Sequence, residues 1–135
     1  MSSFRIFDIA GSALSAQSLR LNTVASNLAN ADAVSGDPNN IYKQRLPVFK
    51  ASVDAGSPDA AGVQVLGVVE SQAPAERRYD PGHPLADAQG YVYAPNVNAV
   101  EEMVNLISAS RAYQGNVEVL NTAKELALRT LTLGN

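Results

Sequence analysis

The feature that most constrains this sequence is a proline-free run from Ala99 to Leu133 near the carboxyl end. It is too long and too periodic for a strand or a loop. A step of alternately three and four residues selects a heptad-spaced, mostly apolar stripe: Met103, Leu106, Ser110, Tyr113, Val117, Leu120, Lys124, Ala127 and Leu131. The run therefore predicts one long helix whose stripe is buried against another helix.

The two ends of this predicted helix carry recognisable stop and start signals. Asn98 is suited to cap the first turn, and Glu101 and Glu102 follow at the positive end of the helix dipole. Arg129 has the favourable charge for the other end, where Gly134 follows. The helix is therefore expected to begin just after Asn98 and to end near Gly134.

A second helical period occupies residues 4–31, and either Ser2 or Ser3 can cap its start. Its stripe consists of Phe7, Ala10, Leu14, Gln17, Leu21, Val24 and Leu28. We expect the two helices to pair as a coiled-coil-like hairpin. The predicted helix-pairing and assembly residues are Phe7, Leu14, Leu21, Val24, Leu28, Met103, Leu106, Tyr113, Val117, Leu120 and Leu131.

The chain between the helices differs in composition, because residues 35–95 contain all seven prolines and most of the glycines. Residues 41–53 and 63–70 have the pattern of strands, residues 54–62 that of a turn, and residues 91–93 that of a short strand. The predicted fold is mainly α with a small irregular β-rich insert. Its parts are an N-terminal helix in 1–34, the insert in 35–95 and a C-terminal helix in 96–135.

Composition limits what these parts can do. The hydrophobic content is 46%, but three Phe and no Trp leave few large side chains for a core, so partner chains are expected to supply missing contacts. The net charge is −3, and the densest basic cluster is only Arg77 and Arg78, which argues against nucleic-acid binding. No apolar run approaches the roughly 20 residues of a transmembrane helix.

The first residues do not predict a signal peptide, since Arg5 and Asp8 interrupt the apolar stretch that one would need. If the protein leaves the cytoplasm, it is expected to use another route. The sequence contains no cysteine, which removes disulfides and thiolate metal ligands.

Catalytic motifs are weak. The single histidine, His83, has Asp80 and Asp87 nearby, which is the minimum for a hydrolytic or metal site. There is no second His, no Gly-x-Ser-x-Gly turn and no glycine-rich phosphate loop, so a surface loop is favoured. We predict no enzyme activity, no cofactor and no metal. Polar helix residues are either solvated or contact neighbouring subunits, and the candidates for such contacts are Asn27, Asn30, Arg111 and Asn116.

Both ends of the chain resemble a known family. The segments Ser-Asn-Leu-Ala-Asn-Ala at 26–31, Glu-Glu-Met-Val-Asn at 101–105 and Arg-Ala-Tyr-Gln at 111–114 are similar to the bacterial flagellar rod, hook and hook-associated axial proteins. The insert, with Tyr-Asp-Pro-Gly-His-Pro at 79–84, resembles the proximal-rod branch of that family. Residues 32–41 depart from the compact Asn-Thr-Pro-Gly-Tyr-Lys turn that many members have at this point.

The resemblance implies a structural subunit of a hollow helical rod that crosses the periplasm and transmits torque. It further implies export through the flagellar type III apparatus without a cleaved signal. The implied partners are other proximal and distal rod proteins, the basal-body adaptor FliE and copies of the same chain. The residues alone leave two alternatives, a soluble helical adaptor or export chaperone, and a hydrolase that depends on His83.

Overall fold

The computed structural model describes residues 3–134. A cap at Ser2 therefore lies outside the described residues. The elements, in chain order, are α1 (Ser3–Ala29), β1 (Arg45–Asp54), β2 (Ser57–Glu70), β3 (Glu76–Tyr79), β4 (Tyr91–Ala94) and α2 (Ala99–Leu133). The fold is mainly helical, with a β insert between two long terminal helices, as the sequence predicts. Asn98 caps α2 with its side-chain oxygen, which accepts from the N–H groups of Val100 and Glu101 at 3.1 and 3.2 Å.

The two helices lie side by side and antiparallel. Asn27, near the end of α1, is hydrogen-bonded to Glu102, near the start of α2. At the opposite end of the pair, Ala10 of α1 lines the same groove as Asn116 and Val119 of α2. The chain therefore forms a helical hairpin whose two helices are connected by the insert.

The α1-facing side of α2 differs from the predicted stripe in a regular way. The buried α2 residues are Glu102, Ala109 and Ala123, which share a heptad spacing with the half-buried Asn116. The sequence stripe chose the next residue in each heptad, yet Met103 is 54% exposed. Small side chains face α1 because they let the two backbones approach closely, whereas the prediction favoured large apolar ones.

Helix α2 extends beyond α1. It has 35 residues against 27 in α1. Because Asn27 lies opposite Glu102 and the helices run antiparallel with equal rise, Ser3 lies opposite about residue 126. We call residues 126–133 the overhang. These last turns of α2 have no α1 beside them, so Leu131 is 68% exposed and does not pair with α1.

The long hairpin β1–β2 packs on another side of α1. Its antiparallel register runs from Arg45 opposite Glu70 to Val53 opposite Ala61, and a bulge beside Gly67, at φ +144°, bends the ladder. The Oγ atom of Ser12 ties the hairpin to α1 by accepting from the N–H of Val63 at 3.0 Å. The predicted turn at 54–62 is wrong in extent: most of it is strand, because the backbone ladder continues to the tip despite its Pro and Gly residues.

A second, shorter sheet joins β3 and β4. The Arg77 guanidinium lies 3.6 Å from the centre of the Tyr91 ring, and Tyr79 contacts that ring edge-on. Asp87 orders the connecting loop, since its carboxylate accepts from the N–H groups of Tyr91 and Gln89 at 2.9 Å each. The hydrogen bond from Tyr91 is the main reason that the pKa of Asp87 lies below its ordinary value.

The core is made of small side chains. Among the described residues, the buried apolar ones are five alanines and two valines: Ala10, Ala16, Val24, Val92, Ala94, Ala109 and Ala123. Most large apolar side chains are half-buried or exposed, so the single chain buries little apolar area. Within residues 3–134, no helix has the length and apolar character required to span a bilayer.

This close helix packing predicts a strong response to added volume. Replacing Ala109, which is fully buried, with Leu is expected to lower the free energy of unfolding by about 1–3 kcal/mol, because the helices must separate to admit the side chain. Ser108→Leu is the matched control, since Ser108 is exposed on the same helix. Urea unfolding of the full chain, followed by circular dichroism, measures both; equal unfolding midpoints would contradict the close packing.

Candidate assembly site

A buried cluster of polar side chains joins the ends of the two helices. We call it the hub, and it consists of Asn27, Tyr42, Gln44, Glu102 and the backbone of Arg45. Asn27 is 1% exposed, and its amide is fully used. Its Nδ2 donates to the Arg45 carbonyl at 2.9 Å and to Glu102 at 3.0 Å, while its Oδ1 accepts from the Arg45 N–H and the Tyr42 hydroxyl. The amide orientation is therefore fixed from both sides.

Glu102 is the second centre of the hub. This carboxylate is 2% exposed and accepts from Asn27 through one oxygen and from Gln44 Nε2, at 2.8 Å, through the other. No residue of 3–134 forms an ion pair with it in the structure. A buried carboxylate held by neutral amides depends on their positions, because a lost donor would leave a buried charge without a partner. Because Glu102 is bound both by Asn27 of α1 and by Gln44 of the insert, the register of the two helices depends on the position of the insert.

The hub is continued into the insert by Gln44 and Asn96. The Gln44 N–H donates to Asn96 Oδ1 at 2.8 Å, and Asn96 Nδ2 donates to the Ala73 carbonyl at 2.9 Å. One hydrogen-bonded series therefore connects the end of α1, the segment before β1, the segment after β2 and the start of α2. These are the places where the chain enters and leaves the insert.

The hub is only partly predictable from the sequence. The pattern of polar helix residues indicates Asn27 but not Tyr42, Gln44 or Glu102. Near a helix start, Glu102 has the simpler explanation of a charge that favours the helix dipole. The sequence does contain a signal for Glu102. It lies one heptad before Ala109 and two heptads before Asn116, which places its carboxylate on the side of α2 that faces α1.

The four predicted subunit-contacting residues have different environments. Asn27 is a correction, because its hydrogen bonds lie within the chain. Asn30 is half-buried and donates to the Ser26 carbonyl of its own helix at 2.8 Å. Asn116 is half-buried beside α1, and Arg111 is exposed on α2. For these three residues, contact with another subunit stays a prediction.

The predicted helix-pairing residues also differ in how deeply they are buried. In α1, Val24 is buried, and the other four are half-buried: Phe7, Leu14, Leu21 and Leu28. In α2, three are half-buried, namely Leu106, Val117 and Leu120, and Tyr113 is 37% exposed. Met103 and Leu131 point away from α1 and stay available for contacts outside the chain.

Unpartnered apolar side chains are concentrated on α2. Of the eighteen large apolar side chains that are exposed among the described residues, ten belong to this helix. Four form a stripe on the side away from α1, which we call the start stripe: Val100, Met103, Val104 and Ile107. Four more belong to the overhang: Leu126, Leu128, Leu131 and Leu133. Exposed apolar area on this scale is typical of protein interaction surfaces.

Within residues 3–134, no group of three or more His, Cys, Asp or Glu side chains is arranged to hold a metal ion. The Nδ1 atom of His83 accepts from the Leu85 N–H at 3.0 Å, so the ring is part of the loop structure.

Comparison with known proteins gives consistent matches to flagellar rod components. Residues 7–36 match the family described as "Flagella basal body rod protein", and residues 88–133 match "Flagellar basal body rod FlgEFG protein C-terminal". The chain is 59% identical over 135 residues to "Flagellar basal-body rod protein FlgC" of Salmonella typhimurium, with 99% of each chain covered. It is 56% identical over 134 residues to the protein of that name from Yersinia enterocolitica, again with 99% covered. It is 43% identical over 134 residues, 98% of each chain, to that of Buchnera aphidicola subsp. Acyrthosiphon pisum.

The hub predicts a specific double-mutant result. Asn27→Asp places an acceptor against Glu102 and against the Arg45 carbonyl, so we expect a loss of about 3 kcal/mol in unfolding free energy. Glu102→Gln in the same chain returns a donor between the two helices and should recover part of that loss. Asn22→Asp, at an exposed position of α1, is the charge-matched control. Urea unfolding of the wild type and these three variants checks this; equal losses for Asn27→Asp and Asn22→Asp would refute the role of the hub.

Proposed function

Because this chain belongs to the flagellar basal-body rod protein family, we propose that its antiparallel helices form a segment of the wall of the hollow rod. The chain is a structural subunit of the flagellar basal body, a location and role carried by its family. The surface of α2 supports a place in the wall of the rod. Of the three sides of this helix that do not face α1, two are apolar and one is polar.

Two opposite flanks of α2 are apolar. At about 100° per residue, Leu126 and Leu133 fall on one flank of the overhang, and Leu128 and Leu131 fall about half a turn away. No part of α1 lies beside either flank, because α1 ends before the overhang. A dimer partner would cover one flank only, whereas a closed wall of side-by-side subunits covers both. This pair of opposed apolar flanks is the observation that carries the proposal.

The remaining side of α2, opposite α1, is polar beyond the start stripe. Its residues are all exposed and include both charges: Arg111, Gln114, Glu118, Asn121, Glu125 and Arg129. A polar back between two apolar flanks suits a helix that has neighbours on both sides and water in front of it. In a hollow rod this back would line the channel.

Assembly also compensates for the small apolar area that the single chain buries. Full burial of one exposed Leu contributes roughly 1.5–3 kcal/mol, and the overhang alone carries four. Helices with so little partner surface are marginally stable in water. We propose that contacts with neighbours provide much of the stability of the assembled subunit, and that the helix pair then packs in a coiled-coil-like manner.

The family resemblance supports the remaining parts of the proposal. They are a place in the proximal part of the rod in the periplasm, export through the flagellar type III apparatus, torque transmission without catalysis, and contacts with other rod proteins, FliE and further copies. A core of Ala and Val is compatible with this export, because little packing must be disrupted before the chain is threaded.

The flank assignment predicts a position-specific assembly defect. Leu131→Glu places a charge in a neighbour contact and is expected to abolish swimming and rod formation, while the fold of the purified chain is unchanged because the site is 68% exposed. Thr132→Glu adds the same charge one residue later, on the polar back, and should assemble. Motility of a complemented null strain and electron microscopy of isolated basal bodies measure both.

Normal rods with Leu131→Glu would contradict the flank contacts. The same preparation tests the alternative of a soluble adaptor, since an adaptor would be missing from isolated basal bodies that contain complete rods.

A further inference from the structure

A groove lies beside α1, between β1 and the start of α2, and has a volume of about 360 Å³. Its apolar wall includes Val24 of α1 together with Leu46 and Phe49 of β1. Its polar wall includes Gln17 and Arg20, which lie one turn apart on α1. The groove thus combines an apolar surface with two hydrogen-bonding side chains on a single helix.

Both polar side chains lack partners within the described part of the chain. The Gln17 Oε1 atom is buried and accepts no hydrogen bond. The guanidinium of Arg20 is half-buried, and no hydrogen bond or ion pair joins it to another residue of 3–134. Arg20 is open to the groove and can therefore pair with an acceptor from another molecule, and the Gln17 oxygen beside it is a buried polar group that the single chain leaves without a donor.

We propose, on the basis of the assembly function above, that the start stripe of a second copy of this chain occupies the groove. Val100, Val104 and Ile107 of the second copy pack on Leu46 and Phe49. Glu101, exposed beside that stripe, pairs with Arg20.

Charge and position argue for a second copy of this chain. The groove presents the Arg20 side chain, which forms no ion pair with residues 3–134, since the Glu102 carboxylate that also lines the groove is held by Asn27 and Gln44. The start stripe is flanked by the exposed Glu101, which has no ion-pair partner among residues 3–134. Within one chain the two surfaces cannot meet, because the start stripe lies on the side of α2 away from α1. A contact between two different surfaces of identical chains is heterologous, so it repeats from copy to copy and forms either a ring or an open helix.

Disulfide trapping tests this contact directly, because the chain has no cysteine of its own. Leu46→Cys and Val104→Cys, carried by separate co-expressed copies, are oxidised in isolated basal bodies. We expect a covalent dimer at least about tenfold more abundant than with the control pair Leu46→Cys and Glu118→Cys, since Cβ atoms must lie within about 4.5 Å to bond. Glu118 lies on the polar back of the same helix.

A charge exchange provides the second test. Arg20→Glu and Glu101→Arg are each expected to reduce motility, and the double variant should restore it while the circular dichroism of all three chains matches the wild type. No dimer from rods that do assemble, or equal trapping in the control pair, overturns the groove contact and leaves the rod function intact. Failure of the double variant to restore motility also overturns it. If the wild-type chain is missing from isolated rods, the rod function itself fails.

Discussion

The hydrogen bond between Asn27 and Glu102 fixes the relation of the two helices, and the rest of the structure depends on it. These residues are 75 positions apart in the chain and lie at the point where the insert begins and ends. Because Asn27 also holds the backbone of Arg45, and Glu102 also holds Gln44, the helix register and the start of the β1–β2 hairpin are set by the same few atoms. Because each donor faces a particular acceptor, this arrangement specifies the register of the helices more strictly than apolar contacts alone would.

The chain distributes its apolar residues in an unusual way, with small side chains buried and large ones exposed. Five alanines and two valines are buried, and leucines, isoleucine, methionine and three further valines are exposed on the outer sides of α2. This distribution reverses the usual one, in which the largest apolar side chains are the most deeply buried. It is understandable for a subunit whose interior is completed by its neighbours. What counts as surface in one chain becomes interior in the assembly.

The sequence was sufficient for the two helices, the Asn98 cap and the insert, because period, capping chemistry and proline content are local properties. It was insufficient for the α1-facing side of α2. On that helix, small residues repeat at one heptad position and larger residues at the next. Which of the two positions faces α1 depends on the distance between the helices, and this distance is not a local property of the sequence. The sequence was also insufficient for Glu102, since a carboxylate near a helix start has an ordinary local explanation. Its buried role depends on Gln44 and Asn27, which the chain brings near only after folding.

The unequal lengths of the helices give the molecule direction. One end of the hairpin is blunt and closed by the hub, and the other ends in a bare leucine-rich tip. Copies stacked in the same orientation therefore expose different surfaces at the top and bottom of the column. Such a column grows with a defined polarity, because the surface that its first member leaves free differs from the surface that its last member leaves free.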